Sequence, residues 1–280
     1  MRNIDGRAMG KAIGAEVTTA AAKLEAEGTS PTLAVVVPTN DEATAWYVRS
    51  IQRTAARVGV NCRIEQLSSP SVGELTAVLD RLSLDETVHG VICQTPLPEG
   101  ATLAQVGEHI VPRKDVDGAN PVSLGRLAAG MDTFAPATAA AVLEILKREN
   151  LDLSGKHVVV IGRSNVVGKP AALLLLAENA TVTVCHSRTR DLAEVCARAD
   201  VLVAAVGRAE MITGAHIKPG AVVVDVGTNP TDDGGLVGDV DADAIAERAG
   251  ALTPVPGGVG PVTTMLLMRH TVDAAARQSG

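Results

Sequence analysis

Apolar positions fall into short unbroken runs, separated by longer stretches where they recur every three or four residues. The runs are Thr32–Val37, Cys62–Leu67, Gly90–Gln94, His157–Ile161, Ala180–Cys185, Val201–Val206 and Ala221–Val226. Unbroken rather than alternating runs predict strands covered on both faces. The stretches between them predict helices over Ala43–Val58, stopped by Gly59, and over Val72–Leu82, Leu103–Ile110 and Thr138–Glu149. Further helices begin near Val166, near Asp191 and weakly at Gly214, and a last one covers Val262–Arg277. Pro112 to Gly130 reads as a polar loop. Strands alternating with helices predict parallel β-α-β units. No Gly/Ser linker interrupts the series, so the change of unit near residues 135–155 falls inside a helix.

A length of 280 residues suits about two domains at roughly 150 residues each, or one large one. Lys plus Arg number 25 against 32 Asp plus Glu, a net charge of −7 that opposes general binding to nucleic acid or anionic membrane. Apolar runs such as Ala171–Ala177 are far shorter than the ~20 residues of a membrane span. The start, Met1-Arg-Asn-Ile-Asp-Gly6, has no apolar signal region. Cys62, Cys93, Cys185 and Cys196 form no C-x-x-C pair and read as reduced thiols in a cytoplasm. The six His are scattered with no H-x-x-x-H pair, so no metal is expected. Aromatics are scarce, and the one Trp and one Tyr are neighbours, Trp46 and Tyr47. They either anchor a helix or serve a ligand.

The stretch Val158-Val-Val-Ile-Gly162-Arg-Ser-Asn-Val-Val-Gly168 puts one Gly at a strand end and another just inside a helix. Such a turn lets backbone N–H groups and a helix N-terminus meet a pyrophosphate. Its spacing departs from G-x-G-x-x-G, and alone it also suits an ordinary strand-to-helix turn. The next strand ends Cys185-His-Ser187-Arg188-Thr-Arg190, where an NAD enzyme usually carries an acid for the ribose 2′-hydroxyl. Hydroxyls and cations there, with Arg163 on the first turn, suit a 2′-phosphate and favour NADP. Gly207 and Asp225-Val-Gly227-Thr228-Asn229 end later strands, where Gly allows close ligand approach. Thr253-Pro-Val-Pro256-Gly257-Gly258-Val-Gly-Pro261 is a Pro- and Gly-rich loop before the last helix.

With these segments go Ile4-Asp-Gly6, the Tyr47-Val48 helix, Gly90-Val-Ile-Cys-Gln94-Thr-Pro-Leu-Pro98, Lys114-Asp-Val-Asp117-Gly118 and Gly238-Asp-Val-Asp241. Together, in this order, they resemble the bifunctional methylenetetrahydrofolate dehydrogenase/cyclohydrolase family of FolD type. The resemblance implies a two-domain α/β homodimer with a folate cleft between the domains. It assigns residues 1–140 and 262–280 to a folate-binding, catalytic domain and residues 141–261 to an NADP-binding Rossmann domain. It implies oxidation of 5,10-methylene- to 5,10-methenyl-tetrahydrofolate, followed by water addition to give 10-formyl-tetrahydrofolate. Tyr47 would then orient the folate, Gln94 would bond the pterin side and support the catalytic group, and Asp117 would hold the pterin ring. Gly162, Arg163, Ser164, Gly168, Ser187, Arg188, Gly207 and Thr228 would line the NADP. Ile51, Pro256, Gly257 and Gly258 would join Tyr47, Gln94 and Asp117 around the substrate.

Several positions depart from the family's pattern, one of them at its catalytic lysine. The family's helix reads Tyr-Val-x-x-Lys, and here the lysine position is Ile51. Residue 51 shares a helical face with Tyr47, whereas Arg49 and Arg53 lie about 200° around and should point away. Arg is also a poor proton carrier near neutral pH. Thr44, the segment Pro38–Asp41 and Pro136-Ala137-Thr138-Ala139 depart on the same side. Hydride transfer needs positioning, whereas ring opening needs a group that moves protons. The expected activity is an NADP-dependent dehydrogenase with weak or absent cyclohydrolase. A fully bifunctional enzyme, an enzyme on another substrate and a nucleotide-binding paralogue stay open.

Overall fold

The computed structural model describes residues 1–231 and 233–279. In chain order the elements begin β1 (Arg2–Asn3), α1 (Gly6–Ala26), β2 (Thr32–Val37), α2 (Glu42–Arg57), β3 (Asn61–Gln66) and α3 (Val72–Leu84). They continue with β4 (Gly90–Cys93), α4 (Leu103–Gly107), α5 (Pro121–Ala128), α6 (Ala137–Arg148), β5 (His157–Ile161), α7 (Gly168–Ala177) and β6 (Thr181–Cys185). The rest are α8 (Leu192–Cys196), β7 (Val201–Ala204), β8 (Val222–Asp225), β9 (Asn229–Pro230), β10 (Leu236–Val237), α9 (Ala242–Ile245), β11 (Ala251–Leu252) and α10 (Val259–Gln278). No helix among the described residues is long and apolar enough to cross a membrane, and no three His, Cys, Asp or Glu among them gather as a metal group.

The contacts divide the chain into two compact units. The first holds Met1–Gly10 and Thr138–Thr263, the second Lys11–Ala137 and Thr264–Gly280. β1 explains the ten-residue exchange at the start: it pairs in parallel with β11, Arg2 beside Ala251 and Asn3 beside Leu252. The first unit is built on a six-stranded sheet, β1-β11-β8-β7-β5-β6, the second on three strands, β3-β2-β4. Every pair in both sheets is parallel, as the alternating pattern predicts.

Central strands are sealed on both faces: β7 is buried throughout, and β2 and β5 are buried beyond their first residues. Core clusters form around Val159, Leu202, Val223 and Ile245 in the first unit, and around Ala34, Leu75, Leu79 and Val91 in the second. The edge strand β3 is half-exposed, and Arg63 on it bonds Glu65 at 2.6 Å and Asp85 at 2.9 Å.

Three helices lie outside the sequence expectation: α1, α5 and the single-turn α9, which Asp241 caps by accepting the Ala244 amide at 2.9 Å. α1 is Ala- and Gly-rich, so its buried stripe of Ile13, Val17, Ala21 and Leu24 stands out weakly. α5 lies within the stretch expected to be loop. It is started by Asn120, whose side chain accepts the Val122 amide at 2.7 Å, and by Pro121 at its first position. Here the Lys114–Gly118 segment earns part of its conspicuousness structurally. Buried Lys114 Nζ donates to the Asp85 carbonyl at 2.6 Å and the Leu82 carbonyl at 3.3 Å, closing the C-terminus of α3. Buried Asp115 accepts the Ala119 amide at 2.8 Å, the Asn120 amide at 3.0 Å and the Ser123 hydroxyl at 2.5 Å. Removing this acceptor orphans three donors at once. Asp115→Ala should cost about 3 kcal/mol of unfolding free energy, measured as a lower urea midpoint.

Candidate active site

In the second unit, β2 lies between β3 and β4, so the chain leaves β2 to one side and returns on the other. Such a switch point opens a crevice at the carboxyl ends of the strands, where ligands bind in α/β sheets. β2 ends at Val37 and reaches α2 through Asp41, which caps that helix by accepting the Thr44 amide at 2.8 Å. The Thr44 hydroxyl lies 3.0 Å from the Thr95 carbonyl and 2.9 Å from the Asp41 carboxylate, tying the start of α2 to the loop after β4. Gln94 opens that loop, half-buried, its amide bonded to the Val36 carbonyl at 2.8 Å. Asp115 bridges Val91 in parallel, which carries Asp117 towards the same edge. Asp117 Oδ1 accepts the Ala137 amide at 3.1 Å.

Tyr47 joins this group electrostatically. Burial round its hydroxyl and the Asp117 charge push its phenol up to about 12, so it stays protonated at neutral pH. Its side chain nevertheless keeps 37% of its surface accessible, and Trp46 keeps 59%. Neither is a core anchor. Ile51, one turn along from Tyr47, has no accessible surface: it belongs to the buried stripe of Thr44, Val48, Ile51 and Ala55. It therefore stands as a packing residue of α2, not as an open wall. Arg49 and Arg53 are exposed, with Arg53 Nε on the Arg49 carbonyl at 3.3 Å.

The first unit repeats the topology, with β6 and β7 on opposite sides of β5. Gly162 follows β5 at φ +131°, and any side chain there would meet the Ala205 carbonyl after β7. A side chain on Gly168 would in turn enter the Gly162 carbonyl. Strand end and helix start thus pack backbone on backbone, leaving the opening of α7 bare. Ser164 closes the turn by accepting the Val167 amide at 3.1 Å and the Gly168 amide at 3.4 Å. Arg163, Ser164, Ser187 and Arg188 are exposed at the ends of the neighbouring strands β5 and β6. Gly207 at φ +65° follows β7, exposed Thr228 follows β8, and Pro256, Gly257 and Gly258 follow β11. All the sequence-predicted residues of this unit lie beyond carboxyl ends of one parallel sheet.

Known proteins of this architecture are close in sequence. Residues 4–117 match the catalytic-domain model of tetrahydrofolate dehydrogenase/cyclohydrolase, and residues 136–279 match its NAD(P)-binding-domain model. The chain belongs to the tetrahydrofolate dehydrogenase/cyclohydrolase family. A bifunctional protein FolD of Parafrankia sp. is 64% identical over 98% of this chain and 99% of its own. The FolD crystal structure from Campylobacter jejuni superposes with a TM-score of 0.96 at 36% identity, covering 99% of each chain. The Trypanosoma brucei FolD, complexed with NADP cofactor and inhibitor, superposes at 0.93 with 38% identity, covering 99% of this chain and 98% of that one.

Within this FolD-type chain two buried acids escaped the sequence reading. Asp225 and Asp239 are 3% and 0% exposed at the ends of β8 and of the β10 segment. Asp225 accepts the amides of Gly227, Asp239 and Val240 at 2.9–3.0 Å, while burial pushes its carboxyl up to about 6. Their only sequence signal is the pair of Asp-Val-Gly227 and Gly238-Asp-Val-Asp segments, which does not reveal which acids turn inward.

Burial likewise pushes Asp117 up to about 6, against the Ala137 amide and with the help of Asp115. The folded state therefore holds this proton more tightly than the unfolded one. The associated stability is present below the unfolded value near 4 and is lost as the pH rises through about 6. Compared with Asp117→Asn, the native chain should lose thermal stability between about pH 4 and pH 6, read as a changing Tm gap between the two that levels off at higher pH.

Proposed function

We propose that this chain is a cytoplasmic, homodimeric, NADP-dependent dehydrogenase that oxidises 5,10-methylene-tetrahydrofolate to 5,10-methenyl-tetrahydrofolate. Ring-opening hydrolysis to 10-formyl-tetrahydrofolate is slowed or lost. What supports this reading is Ile51, a buried apolar side chain at the position that we align with the lysine of the family's Tyr-Val-x-x-Lys helix. Four free thiols support the compartment, and the partly exposed edge strand β6, with Val184 41% accessible, supports pairing between copies.

The nucleotide edge suits a dinucleotide phosphate. The bare turn between Gly162 and Gly168 leaves room for a pyrophosphate, and Arg163, Ser187 and Arg188 offer cations and a hydroxyl to a 2′-phosphate. NADP bound there supplies the acceptor for the hydride. The accessible Tyr47 ring orients the pterin, while Gln94 and Asp117 offer it hydrogen-bonding groups. Loss of hydride from the methylene carbon is driven by the adjacent folate nitrogen, so the protein's task is alignment. Adding water and opening the ring needs protons moved, and the Tyr47 phenol, held near 12, is a weak acid for that purpose.

A second reading rests on Asp117. A carboxyl held near 6 is matched to proton transfer near neutral pH, which supports a bifunctional enzyme using an acid in place of the lysine.

A coupled assay separates the two. Given methylene-tetrahydrofolate and NADP, the chain should accumulate methenyl-tetrahydrofolate, whose absorbance rises in step with NADPH. Ile51→Lys should raise ring opening by about 10²–10⁴-fold and lower Tm, because the ammonium enters an apolar stripe. Hydrolysis keeping pace with oxidation in the native chain, abolished in Asp117→Asn, would select the second reading. The absence of either half-reaction in both the native chain and the lysine variant would point to a paralogue.

Cofactor choice has its own readout. Charge-assisted bonds to a 2′-phosphate are worth roughly 1.5–3 kcal/mol each, so NADP should bind at least about tenfold tighter than NAD. Arg163→Ala should narrow that gap in a calorimetric titration of both nucleotides, and equal affinities in the native chain would sink the assignment.

A further inference from the structure

We infer that Asp239 is a positioning residue for the nucleotide: it holds the turn after β7 from within, in the shape that NADP binding uses. The inference rests on the reading that this sheet edge binds NADP. Asp239 has no accessible surface. Its Oδ2 accepts the amides of Val206 at 2.6 Å and Gly207 at 3.0 Å. Its Oδ1 accepts the Arg208 amide at 2.9 Å and the Asn229 Nδ2 group at 3.0 Å. An ionised carboxylate has about four lone-pair sites, and here four donors occupy them. Three consecutive backbone amides of one turn are therefore fixed by a single side chain.

The position of that turn gives the arrangement its meaning. It leaves β7 at the switch point beside β5, and the Ala205 carbonyl just before it is the group against which Gly162 is pressed. A shift of residues 206–208 would displace the backbone that faces the Gly162 turn. With its amides turned inward to Asp239, the turn is ordered before any ligand arrives, which lowers the entropy lost on binding.

Asp239 is itself held. Its amide donates to Asp225 Oδ1 at 3.0 Å, and the Asp225 amide donates to Thr253 Oγ1 at 2.8 Å. A side chain on Gly227 would collide with the Asp239 carboxylate, so the Gly of Asp225-Val-Gly227 makes room for the acid. One line of bonds thus runs from the start of the Pro256–Gly258 loop, through Asp225 and Asp239, to the turn at Gly207. A carboxylate with only a structural role would affect stability alike for every ligand state. A positioning residue affects nucleotide affinity selectively.

Two variants of the full chain test this, each titrated calorimetrically with NADP and separately with a folate probe, methylene-tetrahydrofolate without nucleotide. Asp239→Asn keeps the size but turns an NH2 group towards amide donors. It should weaken NADP binding by about tenfold or more and leave the folate within about twofold. Amide exchange at residues 206–208 should accelerate. Thr253→Val breaks the line at its far end and should weaken NADP by about threefold or more, with no further loss on top of Asp239→Asn. Should Asp239→Asn fail to fold, Thr253→Val decides alone. Unchanged NADP affinity in a folded variant, or equal weakening of NADP and folate, overturns the inference and leaves Asp239 a strut. If the native chain binds no NADP while still binding the folate, the proposed function falls and the inference with it.

Discussion

A carboxylate buried beneath a turn of otherwise unpaired backbone amides is the interaction on which much of this structure depends. Parallel sheets bring their strand ends to one edge, and the loops there cannot pair as strands do. Buried amides left without acceptors would each cost about 1–3 kcal/mol. Asp115, Asp225 and Asp239 supply the missing acceptors from within, taking two, three and three backbone amides respectively. Burying these charges is costly in itself, and burial raises the Asp115 and Asp225 carboxyls. Short bonds to several donors offset that cost and leave the loops ordered without a ligand.

This arrangement leaves neighbouring groups of the same segments facing outward. In the second unit, Asp115 orders its segment while Asp117, two residues on, reaches the crevice edge with one amide bond and a partly accessible surface. In the first unit, Ser164 closes the Gly162 turn and leaves Arg163 exposed beside it. Inward and outward residues alternate within the same short motifs. One short motif therefore combines a buried acceptor with groups open to the strand-end crevice.

Strands were the most legible part of the fold, because runs such as Leu33–Val37 and Val158–Ile161 are apolar without interruption when both faces are covered. The turn from Gly162 to Gly168 was legible for a similar reason, since only glycine tolerates backbone contact at that distance. Helix α1 was hidden by alanines and glycines that pack well yet hardly mark a face, and α5 by its polar surroundings. Side-chain direction was readable where helical spacing decides it: Ile51 shares the face of Tyr47, and Arg49 and Arg53 point to solvent. How deeply Ile51 sinks was not, because burial depends on what packs against the helix. The inward turn of Asp225 and Asp239 was illegible too, as an acid after a strand usually faces water.

The pairing of β1 with β11 has a consequence for biosynthesis. Arg2 and Asn3 are synthesised long before their partners, Ala251 and Leu252. The second unit likewise includes Thr264–Gly280 along with Lys11–Ala137. Neither unit can complete its contacts until the segments after Gly250 have been synthesised, so the two units cannot fold one after the other in chain order. Closing such long loops is slow, and the emerging chain carries exposed apolar strands until those partners arrive. Nascent-chain chaperones would accordingly engage it for longer than a protein of the same size with sequential domains.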